Sequence, residues 1–188
     1  FGNSERFKIA IEDNTNTDFT LPGSEVLGND FNPKLTTSTP VSALNAGSGI
    51  TEGSFTITDR SGNSGTVTVS SSDTISSLIS KINALSGNVT ASINSSGSGL
   101  QLTDDSSVIT QAMTVNEVSG GSAALKLGIL GRRDGNISGS DLNPIVTSTT
   151  LISDLAGGEG LALNEINIVN GSASGTVTLS SATNIGDV

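Results

Sequence analysis

Ser80 and Lys81 are neighbours, carboxylates stand in pairs at Asp104–Asp105 and Glu12–Asp13, and two stretches, EDNTNTD from Glu12 and DRSGNSG from Asp59, set Asp and Asn oxygens close together. These are the residues with which the chain could do chemistry. It has neither His nor Cys, so the common nucleophile–base pairs and zinc sites lack key members. A Ser–Lys dyad needs two side chains that meet, and adjacent residues on a helix point different ways, so Ser80 and Lys81 read as a solvated helix surface. Glycoside hydrolysis needs two carboxyl groups facing across a cleft; nothing places these pairs so, and they read as solvated loop ends. The two Asp/Asn stretches suit a hard cation, but neither carries the Gly and closing Glu of an EF-hand loop, and turn formation is the better reading. GGEG at Gly157 lacks the following Lys-Ser/Thr that would cradle a phosphate. The sequence therefore offers no catalytic residue, cofactor site or metal ligand, and reads as a protein that is not an enzyme.

Charge narrows the partners. Eight Lys plus Arg against eighteen Asp plus Glu give a net charge of −10 over 188 residues. Nucleic acid and anionic membrane surfaces need clustered cations, and Arg132–Arg133 is the one adjacent basic pair. No apolar run approaches the roughly 18 residues of a membrane-spanning helix. Five Phe, with no Trp or Tyr, leave the core to Val, Ile, Leu and Ala.

The elements follow from the apolar spacing. Phe55 and Ile57, then Val67 and Val69, alternate with Ser and Thr on either side of DRSGNSG, which predicts a hairpin buried on one face. The period then changes. Ile75, Leu78, Ile79, Ile82 and Leu85 fall three and four apart and form the stripe of an amphipathic helix of about three turns, with Asp73 or Thr74 as N-cap and Gly87 as C-cap. Alternation returns at Val89–Ile93, at Leu100–Leu102 and from Met113, and SAALKLGILG closes the unit as a helical or tight apolar turn. Hairpin, helix and three further strands make an α+β, β-dominated fold.

The plan is written twice. DFNP at Asp30 returns as DLNP at Asp141, and VSALNAGSGI at Val41 returns as ISDLAGGEGL at Ile152, both at an offset of 111. Past the hairpin turn the offset is 110, because Thr66 matches Thr176, so one residue is lost in a loop, where indels are tolerated. The second hairpin core is then Ile166, Ile168, Val177 and Leu179. This second copy stops at Val188, where its helix is due, while Phe7, Ile9 and Ile11 form a strand that resembles the close of an earlier unit. Two small tandem or inserted modules are expected, each of β-hairpins packed on one short amphipathic helix: residues 34–139 a complete repeat, 140–188 the first half of a second, and 1–33 the end of a preceding unit that pairs with the C-terminal part. Both ends read as cuts.

VSALNAGSGI, GSFTITDRSGNSGTVTVS, TISSLISKINALSGNVTASINSSGSGLQLTDDSS and MTVNEVSGGSAALKLGI resemble the flagellin hook IN motif, whose Ile-Asn pair is here Ile82–Asn83. The motif is repeated in the outer regions of bacterial flagellar hook-associated proteins, above all the filament-cap members, and occurs in hook-associated protein 3 and some long flagellins. The resemblance implies a structural, secreted, extracellular part of the flagellum that serves motility. Its partners would be other flagellar subunits, flagellin and hook-associated proteins, with a homo-oligomer in the full-length protein and a monomer for this stretch. Asn83, beside the buried stripe, is expected to bond the backbone of the following loop and help end the helix rather than hold a ligand. A rival reading is a cell-adhesion module binding a host surface glycan; sugars would need exposed aromatic rings, and the Phe residues look mostly committed to the core.

Overall fold

Strand alternation and one short helix build the molecule that the spacing predicts. The computed structural model describes residues 31–188 and, as backbone only, two strands before them, β1 (Lys8–Glu12) and β2 (Thr15–Asp18), which pair antiparallel. Residues 1–31 and 32–188 form two separate units. The expected pairing of residues 1–33 with the C-terminal part, and the side chains of EDNTNTD and of the Glu12–Asp13 pair, lie outside the described residues.

In the second unit, β3 (Gly53–Thr58) and β4 (Ser64–Val69) form the first hairpin, with Phe55 opposite Val67. Helix α1 (Ile75–Asn83) follows. Strands β5 (Val89–Ile93) and β6 (Leu100–Asp104) make a second hairpin. Next come β7 (Met113–Glu117), the one-turn helix α2 (Ala123–Lys126), β8 (Gly131–Arg133) and β9 (Ile137–Ser138). The sheets run in the orders β4-β3-β7-β8 and β5-β6-β9. Phe55, Ile57, Val67 and Val69 from the first sheet, Val89, Ala91, Leu100 and Leu102 from the second, and Ile75, Leu78 and Ile82 from α1 share one buried core. This bears out the α+β, β-dominated class.

Three strands escape the sequence reading: β2 (Thr15–Asp18) runs through the part of EDNTNTD that reads as a turn, and β8 and β9 follow β7. β8 carries Arg132 and Arg133 on exposed edge positions, and β9 has Ile137 as its one buried residue; neither is long enough to show a period.

The second repeat supplies β10 (Glu165–Asn170) and β11 (Ala173–Thr178), paired with Ile166 opposite Val177. That is the register of Phe55 on Val67 in the first copy, shifted by the repeat offsets. Short 3-10 turns at Val41–Ala43 and Ile152–Asp154 are likewise equivalent.

Candidate functional site

The motif helix begins where its sequence says it can. Thr74 is the N-cap: its Oγ1 accepts the Ser77 N–H at 3.3 Å, and its own N–H donates to Ser77 Oγ at 2.9 Å, a reciprocal box that satisfies two otherwise orphaned donors. Ile75, Leu78 and Ile82 are fully buried, and Ile79 and Leu85 pack on the core edge. The helix ends at Asn83, with Ala84 as C-cap, about half a turn short of the sequence reading. Gly87 is not the cap: it is absent from the left-handed region and instead passes close to the Asp59 carboxylate, 3.3 Å from where a Cβ would sit.

Asn83 reaches a strand rather than the next loop. Its Oδ1 accepts the Ala91 N–H at 2.6 Å and its Nδ2 donates to the Ala91 C=O at 3.3 Å. One amide side chain thus takes both hydrogen-bonding positions of a residue on β5, which among the described residues has β6 as its ladder partner. Ile82 anchors the helix in the core while its neighbour occupies the free edge of the strand beneath. The pair therefore couples the helix to the second hairpin through packing and hydrogen bonds at once.

Three carboxylates change meaning on folding. Asp73 and Lys81 form an ion pair at 2.6 Å, and Lys81 Nζ also donates to the Thr68 C=O at 2.9 Å. Lys81 is thus a tie between α1 and β4, not a free solvated amine, while Ser80 turns back to the Ser76 C=O. Asp59, in DRSGNSG, accepts from the N–H and Nδ2 of both Asn63 and Asn88 at 2.8–3.0 Å. Burial works against its charge, but these four donors prevail and hold its pKa at about 2. Its oxygens serve the turn and join it to the start of β5. Asp104 is buried, not a solvated loop end; it accepts the Arg60 N–H at 2.7 Å and the Ser106 N–H at 2.9 Å. Burial again opposes ionisation, and the Ser106 and Arg60 contacts keep its pKa below the ordinary value. Asp105 is exposed beside it, so the two do not face across a cleft. Among the described residues no group of three or more His, Cys, Asp or Glu is placed to hold a metal ion.

The two repeats meet in a reciprocal clasp, which the sequence reading missed. The Ile145 N–H donates to the Ala43 C=O at 2.8 Å, and the equivalent Lys34 N–H donates to the Asp154 C=O at 2.8 Å. The Ala46 N–H donates to the Asn143 C=O at 2.8 Å, and its counterpart Gly157 N–H to the Asn32 C=O at 2.9 Å. Each half therefore offers the other the same surface, the signature of a two-fold interface, here internal to one chain. Asn32 and Asn143, equivalent by the 111 offset, bond side chain to side chain across the axis. A cavity of about 90 Å³ lies at the junction, lined by equivalent pairs including Thr36 and Thr147, Thr39 and Thr150, and Pro40 and Leu151. It is well below the roughly 300 Å³ at which small-molecule sites begin. The repetition of DFNP as DLNP carried this information, since a segment conserved between copies but outside the hairpins needs a structural reason.

The second hairpin departs from expectation. Ile166, Ile168 and Val177 are exposed and Leu179 is half-buried, where a core was predicted. Their equivalents Phe55, Ile57, Val67 and Val69 are buried because α1 and the second sheet cover them; the described residues provide no such cover for β10–β11.

Residues 54–106, from the first hairpin through β6, match the family model of the flagellin hook IN motif. The match supports a flagellar protein related to hook proteins or flagellin, with a structural role in the bacterial flagellum and an extracellular place there. Neither the curated proteins nor the solved structures yield a match. Among the described residues no helix is long and apolar enough to cross a membrane.

Proposed function

We propose that this chain is an outer, β-rich part of a flagellar hook-associated protein, with the filament cap (hook-associated protein 2, FliD) as the first assignment. The observation that carries the reading is the IN-motif unit itself: a hairpin, a capped helix and a second hairpin locked by Ile82 and Asn83 within the matched residues. A net charge of −10 and Ser/Thr-rich outer strand faces suit a module displayed in water. In this reading residues 34–139 are a complete repeat and residues 140–188 the first half of a second. Assembly with flagellin and other hook-associated subunits rests on other segments of the full-length protein, and these outer modules are carried as monomers around the axis.

Immunogold labelling of intact flagella with antibodies raised against residues 32–188 tests the assignment. Label confined to filament tips is expected. Label at the hook–filament junction would move the chain to hook-associated protein 3, label along the filament would move it to the outer domain of a flagellin, and label absent from flagella would overturn the reading.

A further inference from the structure

We propose that the clasp carries a pairing code: its two sides differ in side-chain chemistry, so that a first repeat fits a second repeat while like repeats fit each other badly. The main-chain bonds cannot make this distinction, since Lys34 to Asp154 and Ile145 to Ala43 are the same bond in the two halves. The side chains can. Lys34 and Ile145 stand at equivalent positions and lie across equivalent glycines of the opposite repeat: a Cβ on Gly158 would come 2.9 Å from Lys34 Cδ, and one on Gly47 would come 3.1 Å from Ile145 Cδ1. Both glycines have positive φ, +99° and +79°, so backbone conformation and close approach together keep this seat open in each half.

Beyond the shared seat the two sides part. Lys34 runs on past Gly158, and its Nζ meets Asp154 Oδ1 at 3.1 Å. Asp154 is 9% exposed, so the amine answers a carboxylate withdrawn from water. On the other side Ile145 ends over Gly47, and the position equivalent to Asp154 holds Ala43, buried at 4%. Ile145 and Ala43 both line the junction cavity. Cation is thus matched with anion on one side, and apolar with apolar on the other. Two first repeats set face to face would put Lys34 against Ala43 twice, and two second repeats would put Ile145 against Asp154 twice. The second mismatch is the worse: a withdrawn carboxylate without its cation carries an uncompensated desolvation penalty, whereas the Lys34 side chain is 41% exposed and can turn its amine to water. Where many copies stand together, the clasp therefore closes between a first and a second repeat, and the one on the same chain is always at hand. This inference does not depend on the flagellar assignment.

Both mismatches can be installed inside one chain. Lys34→Ile recreates the contact of two second repeats, and Ile145→Lys that of two first repeats. Clasp opening is followed by amide exchange at Ala46 and Gly157, whose own side chains are unchanged, with β3 and β4 as internal reference. Lys34→Ile is expected to speed exchange at both amides about tenfold relative to that reference, and Ile145→Lys to speed it by less. A second substitution should then restore protection in each: Asp154→Ala in the Lys34→Ile chain, by removing the unanswered carboxylate, and Ala43→Asp in the Ile145→Lys chain, by supplying one. Wild-type protection in the Lys34→Ile chain overturns the proposal. So does failure of either second substitution to restore protection, since a loss that persists belongs to packing and not to the match.

Discussion

Asn83 does the work of a short piece of strand, and that sets what its loss costs. Two net hydrogen bonds at about 1 kcal/mol each put Asn83→Ala at about 1–2 kcal/mol of stability, read by urea unfolding of the full chain. Asn83→Asp keeps the acceptor for the Ala91 N–H but sets a carboxylate against the Ala91 C=O, so it should not restore the loss. A wild-type midpoint for both variants would show that Asn83 contributes nothing to β5. Acid sensitivity belongs to the same scale. Asp59 is held at about 2 when folded, below the ordinary value near 3.9 for an unfolded Asp. Its contribution is therefore complete above about pH 4 and is lost as pH falls from there towards 2. Asp73 and Asp104 are lowered too, so the three act in one direction. Stability should fall steeply between pH 4 and 2, and Asp59→Asn should flatten that fall by about 2 kcal/mol.

At the scale of elements, α1 joins the two sheets of the first repeat. Ile82→Ala should cost about 2–5 kcal/mol, because a fully buried residue leaves a cavity between close-packed elements, whereas Ile79→Ala on the core edge should cost less than half as much. Equal losses in denaturant unfolding would mean that the helix packs otherwise. These elements were legible because their periods differ: two for Phe55–Ile57 and Val67–Val69, three to four for Ile75 through Ile82. The misreadings have equally local causes. Helix length was overestimated because Leu85 continues the apolar spacing even though the backbone leaves the helix at Asn83. β8 and β9 were invisible because two or three residues show no period, and pairing with β7 and β6 makes them strands. Lys81 and Asp104 read as solvated because Thr68 on β4 and Arg60 in the first hairpin turn, which tie them down, lie 13 and 44 residues away, and spacing alone does not bring them together.

For the molecule as a whole, the clasp between the repeats should open as one unit. Leu142 is buried in the first repeat's core while its C=O accepts the Asn45 N–H at 2.7 Å. Leu142→Ala should therefore speed amide exchange at Asn45, Ala46 and Ile145 and, through the symmetry of the contact, at Lys34 and Gly157 by a similar factor. Faster exchange on one side alone would mean that the two halves of the clasp are independent. The bonds that relate the halves run mostly between main-chain groups, and a peptide group is the same whatever residue bears it. Substitutions accumulating on the outer faces of either repeat would leave that grip in place, so two copies with little sequence left in common could still hold hands in the same way, and the surface shown to the surroundings is free to diversify.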